Sequence, residues 1–122
     1  MSPTARSLKE LREQGFIAQV VEHYNSFSRK RNDLFGIFDI VAIRDGETIG
    51  IQVTTESNNS ARKNKIIDTS SHLRPWLRAG NLCQLWTWQK KNNRWRYRKR
   101  SFRFLDEGNA EAVECIDEGW NR

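Results

Sequence analysis

Asp39 is the one acid inside a long apolar run, Leu34-Phe35-Gly36-Ile37-Phe38-Asp39-Ile40-Val41-Ala42-Ile43, and Gln52 interrupts a second run, Thr48-Ile49-Gly50-Ile51-Gln52-Val53-Thr54. The Asp45-Gly46 pair between the runs is a strong hairpin signal. Side chains two apart in a strand share a face, so Gln52 and Thr54 point the same way, and Asp39 on the neighbouring arm completes a polar triplet. A buried carboxylate must be compensated by a cation or by hydrogen bonds. A hard cation such as Mg²⁺, which takes oxygen ligands and keeps several waters, is one solution. The other is that Asp39 bonds neighbouring backbone while Gln52 and Thr54 alternate with apolar residues on a half-exposed strand.

Ser7 to Gln14 predicts a helix, with Ser7 as N-cap, Glu10 three residues on as its capping-box partner, and Leu8 and Leu11 on one face. Gly15 ends it, and Phe16 to Tyr24 has strand composition; a longer helix running through Gly15 is the alternative. Asn25 to Asp33 is a polar loop carrying Arg29, Lys30 and Arg31 in a row. After the hairpin, Asn58 or Asn59 caps a basic helix with Arg62, Lys63 and Lys65, and Leu73, Trp76 and Leu77 form an apolar stripe before Gly80. Leu82 to Trp88 and Arg94 to Arg100 predict two strands joined by Lys90 to Asn93, with Arg94, Arg96, Arg98 and Arg100 on one face and Trp95 and Tyr97 on the other. The order α-β-β-β-α-β-β makes an α/β fold, a short mixed sheet flanked by helices.

The 122 residues suit one small domain, expected over residues 1–104, followed by an acidic tail over residues 105–122. The net charge of +6 divides unevenly: from Asp106 onward there are six acids and one Arg, which leaves 20 bases against 9 acids in the body. A body at +11 favours an anionic partner, with nucleic acid the commonest. The acidic tail is a rival anion that can fold back on the Arg94 to Arg100 stripe. No stretch approaches the ~20 apolar residues of a membrane span and no signal-peptide pattern opens the chain, so a cytoplasmic protein without a membrane partner is expected. Cys83 and Cys115 have neither metal-ligand nor disulfide-framework spacing, and His23 and His72 belong to no triad. Trp76, Trp86, Trp88 and Trp95 are expected in the core rather than as base-stacking platforms.

Taken together, Leu34 to Ala42 with Asp39, the twelve-residue spacer to Gln52-Val53-Thr54, the helix ending in Glu13-Gln14-Gly15-Phe16 and the basic helix after Thr54 resemble the PD-(D/E)XK nuclease superfamily. Within it the likeness is to small Holliday-junction-resolvase-like and phage-type nucleases. The resemblance implies a restriction-endonuclease-like αβββαβ core, hydrolysis of DNA phosphodiester bonds with Mg²⁺ or Mn²⁺, a branched DNA substrate such as a Holliday junction, a homodimer, and a phage or prokaryotic source. Asp39 matches the family's Asp. Gln52 stands where the family has Glu or Asp, and Thr54 where it has the Lys that helps activate water. A Gln oxygen ligates without charge, so Glu22 is the expected additional acid, giving a metal set of Asp39, Gln52 and Glu22. Lys63 or Lys65 would supply the missing cation, and Thr54 would hydrogen-bond the water or the phosphate. Arg29, Lys30, Arg31, Arg62, Arg94, Arg96 and Arg98 are the expected DNA-phosphate contacts. Two other readings stand beside the enzyme: a catalytically inactive nucleic-acid-binding module with the same fold, and a protein-interaction or inhibitor domain.

Overall fold

The computed structural model describes residues 1–106 and 109–121. Its first helix, α1 (Pro3–Glu13), starts earlier than the sequence suggests. Ser2 is the N-cap, its Oγ accepting from the Ala5 N–H at 3.1 Å, and Pro3 follows in the first turn, where its missing N–H costs nothing. Ser7 is therefore not a cap. It is fully buried, donating to Pro3 O at 2.9 Å and accepting from the Trp88 indole N–H at 2.7 Å. A small hydroxyl on the inner face of α1 thus satisfies a buried indole.

Strand β1 (Ile17–Val20) is shorter than the expected Phe16 to Tyr24 run. The chain then leaves the sheet to form a separate antiparallel ribbon, β2 (His23–Asn25) and β3 (Lys30–Asn32), where the polar composition predicts a loop. Phe35 at φ 55° and Gly36 at φ 71° turn the chain back into β4 (Ile40–Arg44). As expected, β4 and β5 (Glu47–Thr55) form a hairpin: Arg44 pairs with Glu47 across the two-residue turn, with Gly46 at φ 77°. A 3-10 turn over Glu56–Asn58, α2 (Asn59–Asp68) and α3 (Ser70–Arg78) make the crossover that parallel strands require, and β6 (Leu82–Lys91) returns parallel to β5. A hairpin at Asn92-Asn93, both at positive φ, leads into β7 (Arg94–Asp106). The acidic segment is a strand, β8 (Asn109–Asn121), hydrogen-bonded along β7.

The result is a six-stranded mixed sheet in the order β1-β4-β5-β6-β7-β8 with helices on both faces. One face packs Ile40, Ile51, Val53, Trp86, Trp88 and Tyr97 against Leu11 of α1. The other packs Phe38, Cys83, Leu85 and Phe102 against Ile66 and Leu73 of α2 and α3. Trp86 and Trp88 are core residues, Trp86 stacked on Tyr97 and Trp88 tilted against it, whereas Trp95, also expected in the core, is exposed. Gly50 has a specific reason to be glycine: a Cβ there would stand 2.5 Å from the Phe38 ring, which lies flat on β5 beside Asp39. Among the described residues, no helix is long and apolar enough to cross a membrane.

Candidate metal centre

Asp39 is clamped at its backbone, its N–H donating to Ile51 O at 2.9 Å and its carbonyl accepting from the Val21 N–H at 2.8 Å. The β4–β5 ladder ends at the Ile40 and Ile51 pair, so β5 runs on past β4 with its Val53 N–H unclaimed. The Asp39 carboxylate takes that donor: Oδ2 accepts from Val53 N at 2.8 Å and from Gln52 Nε2 at 2.5 Å. Asp39, Gln52 and Thr54 thus share the α2/α3 face, all buried, as the strand alternation predicts. Thr54 Oγ1 accepts from Asn58 Nδ2 at 3.4 Å, and Gln52 Oε1 is buried with no hydrogen-bond partner among the described residues. An orphaned buried acceptor is costly, and a cation is one of the few things that relieves it.

Glu22 and Asp33 reach the same place. They flank the β2–β3 ribbon, one before it and one after it, and its closure brings their carboxylates together with Asp39, all three oxygens lying within 4.8 Å of one another. Glu22, expected from the sequence to lie beside Asp39, does so. Asp33 was not anticipated; the signal in the sequence is an acid at the seam between the basic polar segment and the apolar run, six residues before Asp39. Two cations answer the three acids: Arg31 pairs with Glu22 at 3.0 Å and Lys65 Nζ with Asp33 Oδ2 at 2.6 Å.

The electrostatics follow from this arrangement. Burial pushes the Asp39 carboxyl up to about 8, the Asp33 charge adds to the rise, and the Val53 N–H opposes it. Burial also raises Asp33, but hydrogen bonds from Lys65, Asp39 and Gln52 together with the Lys65 charge outweigh it and hold Asp33 below the ordinary carboxylate range. Asp39 is therefore the acid that holds its proton more tightly than an ordinary carboxyl, while Arg31 and Lys65 face the other two acids. A set of hard oxygen donors with one displaceable proton fits a divalent cation such as Mg²⁺ or Mn²⁺.

Not every expected residue comes to this point. Lys65 does, but Lys63, two residues away and so about 200° around the helix, lies within electrostatic reach of Cys115 on β8 instead. Arg62 is half-buried on α2. Arg29 and Lys30 are exposed on the ribbon and Arg94 is exposed at the β6–β7 turn. The rest of the arginine stripe is occupied from within the chain. Arg96 lies over the Trp120 ring at 3.9 Å and donates to Gln89, Arg98 pairs with Asp117, and buried Arg100 bridges Thr87 and Glu56 at 2.9 and 3.0 Å. Glu114 and Glu118 of β8 likewise pair with Arg103 and Lys99. The acidic segment thus supplies the anions for Arg98, Lys99 and Arg103 of β7, whereas Arg100 takes Glu56.

Comparison with protein-family models, with curated proteins and with solved structures gives no match.

Proposed function

We propose that the protein is a metal-dependent DNA endonuclease of PD-(D/E)XK type. The observation that carries the reading is the convergence of Glu22, Asp33 and Asp39 within 4.8 Å, beside the orphaned Gln52 Oε1. The run α1, β1, β4, β5, helical crossover and β6, with β5 and β6 parallel, supports a restriction-endonuclease-like core. Asp39, Glu22, Asp33 and the Gln52 oxygen would hold Mg²⁺ or Mn²⁺, which when bound lowers the pKa of a coordinated water and stabilises charge on a phosphate. Lys65, already within hydrogen-bond distance of Asp33, takes the place of the family's motif lysine as the cation beside the carboxylates. Thr54 and Asn58 set hydroxyl and amide groups at the C-terminal end of β5, where they can orient a phosphate oxygen. The Gln in place of the family's acid lowers the negative charge of the site by one, and Asp33 restores it.

A second reading has its own observation. Asp39 Oδ2 is satisfied by two internal donors, which suits a DNA-binding module that keeps the fold without cutting.

Incubation of supercoiled, linear and four-way-junction DNA with Mg²⁺, Mn²⁺ or chelator separates the two. The nuclease reading expects cutting that requires metal and is lost in Asp39→Asn. Salt-sensitive binding without cutting under every condition selects the binding module.

A further inference from the structure

Residues 23–32, the whole β2–β3 ribbon, are exposed at every position. The ribbon carries Tyr24 at 59% exposure and Phe27, at its tip, at 100%. Its tip is nonetheless shaped: Asn25 Oδ1 accepts from the Phe27 N–H at 2.9 Å and the Ser28 N–H at 3.3 Å, and Arg29 sits at φ 56°. The ten residues contain three consecutive bases and no acid. Arg29 and Lys30 have no ion-pair partner among the described residues, in contrast to Arg98 and Arg103 of β7, which pair with Asp117 and Glu114 of β8.

The ribbon is also fixed relative to the carboxylates, because Glu22 and Asp33 form its base. A strand advances about 3.3 Å per residue, so the tip at Phe27, five residues from both Glu22 and Asn32, lies roughly 15 Å from the acids. That is the distance of a few nucleotides along a bound strand. A two-stranded ribbon is narrow enough for the ~12 Å major groove of duplex DNA.

We propose that the β2–β3 ribbon is a DNA-gripping arm in which Arg29 and Lys30 contact phosphates on either side of a groove and Phe27 stacks on a base unpaired from its partner. The inference rests on the nucleic-acid reading of the carboxylate site, and it names the substrate feature that site would meet: DNA with an unstacked base, as at a branch point. Basic residues alone give binding without structural preference. An exposed aromatic ring adds affinity only where a base face is available, since bases within a duplex are already stacked.

The test is binding measured by fluorescence anisotropy in chelator, so that no cutting intervenes, with a four-way junction and a linear duplex of the same sequence. Arg29→Ala/Lys30→Ala is expected to weaken both DNAs and to reduce the slope of log K against log salt by about two. Phe27→Ala is expected to weaken the junction about tenfold and leave the duplex within about twofold. Unchanged salt slopes in the double variant, equal losses on both DNAs in Phe27→Ala, or no salt-sensitive DNA binding at all would overturn the proposal. The variants lie on exposed residues, and matching thermal melts check that they fold. Failure of the nuclease reading is read separately. Wild-type protein that shows the ribbon effects but never cuts with Mg²⁺ refutes the enzyme and keeps the arm, whereas metal-dependent cutting with no ribbon effect refutes the arm alone.

Discussion

Gln52 donates its side-chain N–H to Asp39 at 2.5 Å, and the same amide leaves its own oxygen buried and unpartnered. The two residues face each other one step past the last β4–β5 ladder pair, so each is held by backbone and neither can swing away to solvent. The amide N–H is satisfied by Asp39, and the amide oxygen is an acceptor that a cation would satisfy. Gln52→Glu places a second acid against Asp39 and removes the donor. The expected outcome is a metal-free protein less stable by about 1–3 kcal/mol that recovers in millimolar Mg²⁺, with a larger metal-induced rise in Tm than the wild type. Thermal melts with and without Mg²⁺ read both effects.

The raised Asp39 carboxyl makes a prediction about pH. Its folded-state value of about 8 lies above the ordinary value of 3.8, so the folded protein holds the proton more tightly than the unfolded chain. The stability this contributes is complete below pH 4, declines as pH rises, and is gone above about 8. Urea titrations of metal-free protein should lose stability across that window, on the order of a few kcal/mol, and Asp39→Asn should flatten the curve. A wild-type curve that is level between pH 5 and 8 would count against a protonated Asp39.

Much of this site was legible because the strand code is strict. Asp39, Gln52 and Thr54 had to share a face once the Asp45-Gly46 turn set the hairpin, and Glu22 lay on the chain just before. The ribbon was not legible, since His23-Tyr24-Asn25 and Lys30-Arg31-Asn32 are exposed throughout and bury nothing that would leave an alternating pattern. Asp33 was hidden for the same reason, as its place depends on that ribbon closing. In β8 the alternation is diluted by acids whose partners lie on β7, so composition suggested a tail where Val113 and Cys115 in fact pack against the core. Ser7 shows the converse: it satisfies a local capping rule, but the indole of Trp88, 81 residues away, claims the hydroxyl.

That claim predicts that Ser7→Ala costs about 1–3 kcal/mol, because it leaves a buried indole N–H without an acceptor. An ordinary surface Ser→Ala in a helix would be neutral or slightly stabilising. Chemical denaturation distinguishes the two, and Trp88→Phe in the same background should cancel most of the difference.

Gly50→Ala tests the packing that holds Asp39 in place. The new methyl meets the buried Phe38 ring at 2.5 to 2.7 Å, so the ring or the strand must move, at an expected cost of about 1–3 kcal/mol. Phe38→Leu combined with Gly50→Ala should be less destabilised than the sum of the single changes, which a double-mutant cycle measures.

The most direct test of the carboxylate centre is an anomalous-diffraction map from crystals soaked in Mn²⁺. A peak is expected between Asp39, Glu22 and Asp33, at direct-contact distances of about 2.2 Å from carboxylate oxygens, with the Gln52 oxygen turned toward it, and no such peak in Asp39→Asn. A map with no manganese at these residues, from crystals of protein that binds DNA, would contradict a metal centre here.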